Sequence, residues 1–117
     1  MRQLVTEERL VFVNAGWSMH DEACTHHDDM MNNMMAGHEF FEKTFGYAAT
    51  IGWHIDPFGH SNANPRLFAD MGFDAWFFAR MDYEDKAERM EDKELQFVWR
   101  PMEASLGDSV EIFTHTM

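Results

Sequence analysis

Apolar positions along the chain change period several times, and those changes mark out its elements. Residues 2–9 read as the polar end of a helix, leading into Leu10-Val11-Phe12-Val13, an apolar, β-branched run that predicts a strand. Asn14-Ala15-Gly16-Trp17 leaves that strand. Ser18 or Asp21 then offers an N-cap, with Asp21 and Glu22 favourably placed near a helix N-terminus. Ala23, His27, Met30, Met34, His38, Phe41 and Phe45 recur at spacings of three and four, which sets them on one face of a helix closed by Gly46 as a C′ glycine.

Residues 50–55 read as a short buried strand. Asn64-Pro65 starts a helix whose Leu67, Phe68 and Met71 turn inward and which Gly72 closes. Residues 74–79 are apolar on both faces, as buried parallel strands are, and end at Arg80. Residues 84–94 mix Glu, Asp, Lys and Arg in the manner of a solvated helix. Residues 95–99 predict a strand, 105–108 a turn, and 110–114 a last strand. The resulting β-α-β-α-β order, followed by a helix and two strands, predicts an α/β fold: a parallel β-sheet or barrel domain with surrounding helices. No repeat or Pro/Gly/Ser linker divides it. A strand lies near each end of the chain, so the sheet is expected to have an open edge and residues 1–117 to be an incomplete domain of a larger unit.

Composition narrows the chemistry. A formal charge of −12 opposes binding to nucleic-acid phosphates and to anionic membranes. Protonating the seven histidines would bring it to −5 (−12 + 7), which suits an acidic compartment. The single cysteine, Cys24, has no internal disulfide partner and is expected to pack as a small side chain. The first residues contain no apolar signal segment, and no apolar run is long enough to span a bilayer.

The densest chemistry is W-H-I-D-P-F-G-H-S at 53–61. Asp56 sits where a strand ends, Pro57 forces the chain out of it, and Gly59 is expected to permit the turn. Two residues apart on a strand, His54 and Asp56 are expected to share a face, and with His60 they form a candidate zinc cluster. Two ligands are too few for such a site, so a structural His–Asp arrangement is the competing reading. His27 and His38 lie on the apolar stripe and are expected to be hydrogen-bonded interior histidines. No nucleophile elbow, dinucleotide fingerprint or Walker loop is present. Carboxylate chemistry remains: retaining glycoside hydrolysis needs a nucleophile and an acid/base, and Asp56 has the position of a nucleophile. Asp82, just past Arg80, is expected to make a local hydrogen bond instead.

The run H-I-D-P-F-G-H-S resembles the signature loop of the family 38 glycoside hydrolases, the zinc-dependent retaining α-mannosidases of lysosome and Golgi. N-A-G-W-S-M-H-D-E-A at 14–23, M-G-F-D-A-W-F-F-A-R at 71–80, F-V-W-R at 97–100 and I-F-T-H at 112–115 resemble further blocks of that family in the same order, in the style of the lysosomal branch. The resemblance implies that residues 1–117 are a fragment of an N-terminal catalytic α/β domain acting on mannose-containing oligosaccharides or glycoprotein glycans. It implies that Asp56 is both nucleophile and zinc ligand, that Phe58 lines the mannose subsite, and that Arg80 supports the site carboxylates. The family's upstream H-x-D-x-G-W motif has no match, because Phe12 and Asn14 stand where its ligands would be. The chain is therefore expected to hold one of four zinc ligands and one of two catalytic carboxylates. His54 and His60 are not carried over as ligands. Two readings follow: a piece of a working zinc-dependent mannosidase, or a truncated, inactive product that serves only as an interaction or structural fragment.

Overall fold

The computed structural model describes residues 1–117. Its elements are α1 (Arg2–Thr6), α2 (His27–Phe45), β1 (Ile51–His54), α3 (Ala63–Asp70), β2 (Ala75–Phe78), α4 (Tyr83–Asp92), β3 (Gln96–Trp99), α5 (Glu103–Leu106) and β4 (Ile112–Thr116). The strands form one mixed sheet in the order β1-β2-β4-β3. The β1–β2 and β2–β4 pairs are parallel, as the alternation of elements predicts. β3 departs from that expectation and runs antiparallel to β4. The connection between them contains only the four-residue α5, too little helix to carry the chain across the sheet and cover it.

Register assigns the two faces. Gly52, Trp76, Thr114 and Phe97 lie side by side, as do His54, Phe78 and Thr116. This face is the core, where Trp76, Phe78 and Ile112 meet Phe68 and Phe73 from the α3 region and Met34 from α2. Gly52 is required here by close approach, since a Cβ would lie 2.7 Å from the Phe68 ring. The opposite face carries one row of Ile51, Ala75, Phe113 and Val98 and another of Trp53, Phe77, His115 and Gln96. Phe113 and Val98 are exposed there.

The strand expected at 10–13 does not form. Asn14 and Ala15 take left-handed backbone angles, with φ of 61° and 53°, which stop an extended run. Asn14 substitutes for a paired strand: its N–H donates to the Ile51 carbonyl at 2.7 Å, and its side-chain Oδ1 accepts from the Trp53 N–H at 3.2 Å. Phe12 is held instead by aromatic packing, with ring centroids 4.6 Å from Phe41 and 5.2 Å from Phe45.

α2 starts later than the apolar stripe predicts. Asp21 Oδ1 accepts from the N–H groups of Ala23 and Cys24 and closes a separate turn, and the helix begins at His27 with the His26 ring capping the Asp28 N–H. Met30 and Met34 are buried as expected, but Ala23 lies outside the helix, His27 is exposed on its first turn, and Cys24 is exposed rather than packed. His38 makes the hydrogen bond predicted of it but is half-buried, with Nε2 donating to the Asn14 carbonyl at 3.1 Å and its ring stacked on Phe73. Gly46 closes the helix at φ 64°. The last strand lies two residues further along than the sequence pattern places it. No helix is long and apolar enough to cross a membrane.

Candidate active site

Parallel pairing brings two strand ends together. His54 and Phe78 are register partners at the carboxyl ends of β1 and β2, and Asp56 and Arg80 each stand two residues beyond. The Arg80 Nη2 donates to Asp56 Oδ1 at 3.0 Å. Both side chains are open to solvent, Asp56 at 73% and Arg80 at 57% exposure. Phe58 projects at 75% exposure between them in sequence. Beside this pair is a cleft of about 980 Å³ lined by Phe58, His60, Arg80, Tyr83, Phe97 and Trp99 among others. Asp56 is outside that lining and meets the cleft through Arg80. Of the three residues singled out from the sequence, the fold thus joins Asp56 to Arg80 directly and sets Phe58 on the cleft wall.

His54 and Asp56 do not share a face. The strand ends at His54 and the chain bends before Pro57, so His54 is fully buried while Asp56 points outward. Gly59 has no left-handed backbone angle, and a Cβ there would meet only Ala23 at 3.7 Å, so the turn does not need a glycine.

What holds the loop is a group that sequence reading did not single out, the carboxylate of Glu22. It is sealed from solvent and accepts three hydrogen bonds: from His54 Nδ1 at 2.7 Å, from His60 Nδ1 at 3.0 Å and from the Ser61 N–H at 3.0 Å. His60 Nε2 continues to the Arg80 carbonyl at 2.6 Å. With Glu22 ionised, both acceptors facing His60 are oxygens without protons, and the two bonds together favour the imidazolium, in which both ring nitrogens donate. The electrostatics agree. Burial pushes the Glu22 carboxyl up, but the hydrogen bonds and charges of His54 and His60 more than offset it, and its pKa falls below the ordinary 4.5. Burial likewise disfavours charge on His60, but the bonds to Glu22 and the Arg80 carbonyl raise it above 6.5. His20, whose Nε2 donates to Asn64 Oδ1 at 2.7 Å, is lowered below 6.5 by burial. In the sequence, Glu22 reads as an acid near a helix start. No local pattern links it to histidines 32 and 38 positions away.

A zinc ion fits Asp56 as one ligand, because Arg80 occupies Oδ1 and leaves the exposed Oδ2 available. The neighbouring histidines do not add to it. His54 Nε2 is buried without a protein partner among the rings of His20, Phe68 and Trp76, and both His60 nitrogens are engaged. The one cluster of three potential ligands is His26, His27 and Asp28. It lies at the start of α2, whose dipole disfavours a cation there, and His26 Nδ1 already accepts the Asp28 N–H. Asp82 spends its Oδ1 on the N–H groups of Glu84 and Asp85, the local role expected of it.

Residues 1–117 match the family described as glycosyl hydrolases family 38 N-terminal domain over their whole length. The chain belongs to that family. It is 46% identical over 116 residues to the lysosomal alpha-mannosidase of Homo sapiens, covering 97% of this chain and 12% of that protein. It is 50% identical over 117 residues to the human epididymis-specific alpha-mannosidase, covering 100% of this chain and 12% of that protein. It is 45% identical over 110 residues to the lysosomal alpha-mannosidase of Dictyostelium discoideum, covering 94% and 11%. The chain therefore spans about one-eighth of the length of such relatives.

Proposed function

We propose that this chain is the nucleophile-bearing part of the N-terminal catalytic α/β domain of a retaining, zinc-dependent α-mannosidase. In this reading the complete enzyme removes terminal α-mannosyl residues from N-glycan-type oligosaccharides or glycoprotein glycans, in a lysosome, the compartment in the names of several relatives, or in a vacuole. The observation that carries it is the Asp56–Arg80 pair at adjacent parallel strand ends, within a chain that belongs to family 38 throughout. The charge of −12 speaks against a nucleic-acid partner.

Arg80 holds one oxygen of Asp56 and so orients the carboxylate, the group assigned to attack the anomeric carbon. The exposed Phe58 ring offers an apolar surface to the C–H face of a sugar in the cleft. Zinc, when bound, supplies a Lewis acid for sugar hydroxyl oxygens, and Asp56 is the ligand contributed from this chain. The remaining ligands and the acid/base carboxylate are assigned to polypeptide outside these 117 residues.

The test is covalent trapping. A full-length, active polypeptide carrying this segment is incubated with a fluorinated mannosyl substrate that forms the glycosyl-enzyme but hydrolyses slowly, and its peptides are mapped by mass spectrometry. The adduct is expected on Asp56; an adduct on another carboxylate overturns the assignment. Asp56→Ala should lower turnover by at least about 10³-fold and weaken zinc binding.

A further inference from the structure

The geometry points to Glu22 and His60 as a positioning pair: through the Arg80 main chain they set the orientation in which Arg80 holds Asp56. This inference rests on the mannosidase reading for its catalytic consequence, and on geometry alone for its structural one.

The exposed Asp56–Arg80 ion pair cannot fix the loop unaided. Pairs so open to water contribute about 0–1 kcal/mol. The loop is fastened from beneath, at three points that converge on a single carboxylate. His54 ties Glu22 to the last residue of β1, and His60 and Ser61 tie it to the far end of the loop that begins after His54. Asp56, Phe58 and the buried Pro57 lie between these fastenings. The His60 ring reaches across to the second strand end, where Nε2 donates to the Arg80 carbonyl. One imidazole ring thus spans the loop that bears Asp56 and the residue that grips it. Its ring packs against Phe78 at 4.3 Å and Trp76 at 5.5 Å, which leaves it little freedom to swing. Neither Glu22 nor His60 touches Asp56, so any effect on chemistry travels through Arg80 and the loop backbone.

The two bonds of His60 can be broken one at a time. In His60→Gln the amide nitrogen falls near the place of Nε2 and can keep the Arg80 carbonyl while losing Glu22. In His60→Asn it falls near the place of Nδ1 and can keep Glu22 while losing the Arg80 carbonyl. Measured in the active full-length polypeptide on an aryl α-mannoside, kcat of His60→Asn should fall below that of His60→Gln by about tenfold or more, since small misplacements near reacting groups have large effects. KM should differ between the two by less than about twofold, because both variants present a side-chain amide to the cleft and differ only in whether Glu22 or the Arg80 main chain is held. If His60 merely anchors the loop, both variants lose kcat in proportion to their loss of stability, and that result overturns the proposal.

A second readout needs no turnover. In the 117-residue chain, nitrogen-15 NMR should find both His60 ring nitrogens protonated up to a higher pH than in Glu22→Gln. The Arg80 side-chain N–H signal, slowed in exchange by Asp56, should persist in His60→Gln and broaden in His60→Asn. An Arg80 signal indifferent to both substitutions sinks the positioning role. A parent enzyme without mannosidase turnover would instead sink the proposed function and leave this NMR result to decide the geometry.

Discussion

At the scale of single residues, the buried cluster beneath the loop makes a pH-dependent contribution whose sign differs from group to group. His60 titrates above its ordinary 6.5, so its share of stability is fully present below that value and is lost as pH rises through the folded value. Glu22 titrates below its ordinary 4.5, so its share is present above that value and is lost as pH falls through the folded one. His20, lowered from 6.5, likewise supports the fold above that pH and withdraws support as pH falls through its folded value. The urea midpoint should therefore decline on both sides of a maximum. In His60→Gln the decline on the alkaline side should disappear while the acid side remains. A wild-type midpoint that stays flat from pH 6.5 upward would contradict the assignment of His60 as an imidazolium. Asp56 and Arg80 stand out in the sequence because each follows the end of an expected strand, whereas Phe58 is named through the family resemblance alone. Glu22 does not stand out, because its partners come from the strand and loop that follow a 19-residue helix. Only the fold sets them side by side.

At the scale of elements, α2 is positioned by a contact that leaves no room for a side chain. A Cβ on Gly37 would lie 2.2 Å from the Ala15 carbonyl oxygen and 2.4 Å from the Trp17 nitrogen, so the helix rests directly on the 15–17 backbone. Alanine would favour the helix by about 1 kcal/mol in isolation. The clash is with main chain rather than a flexible side chain, and overpacking of that kind costs about 3 kcal/mol or more. The clash should win: Gly37→Ala is expected to destabilise by about 2 kcal/mol or more, the difference of those two terms. An unchanged or raised urea midpoint would show that the helix can lift off the loop freely. α4 offers a gentler case. Its N-cap Asp82 accepts from both Glu84 and Asp85, and Asp82→Ala should cost about 1 kcal/mol in the same measurement. Periodicity located most helices and strands well, because burial imposes it. It misplaced the start of α2, where the Asp21 turn competes, and it proposed a strand at 10–13. There the run is apolar enough, but the left-handed angles at Asn14 and Ala15 break it. The reversed β3 was illegible for a different reason: the apolar pattern within a strand specifies which residues face the core and says nothing of strand direction.

At the scale of the whole molecule, the described residues make a sheet with one finished face. The core face is closed by Phe68, Phe73 and Met34, whereas Phe113 and Val98 on the other are 43% and 55% exposed. The site has the same one-sided character. Asp56 offers a free carboxylate oxygen, but no second carboxylate or histidine nitrogen of the chain joins it to form a three-ligand group, since the one such group is His26, His27 and Asp28. A zinc ion held by one exposed carboxylate competes poorly with water, and structural and catalytic zinc sites take three or four protein ligands. Double displacement also requires a second carboxyl about 5–5.5 Å from the nucleophile to act as acid and base. Purified alone, the 117-residue chain is accordingly expected to hold less than one equivalent of zinc after dialysis and to hydrolyse no aryl α-mannoside. Substituting Asp56→Ala should leave its zinc content unaltered, although the same change is expected to lower that of the full-length polypeptide. Zinc content by atomic emission and release of the aryl group over hours check both statements. Robust zinc-dependent turnover by the isolated chain would require every ligand and both carboxyl groups to lie within residues 1–117. His54, His60 and Glu22 would then have to leave their mutual hydrogen bonds to provide them, and the buried cluster would be a resting state of the site rather than its foundation.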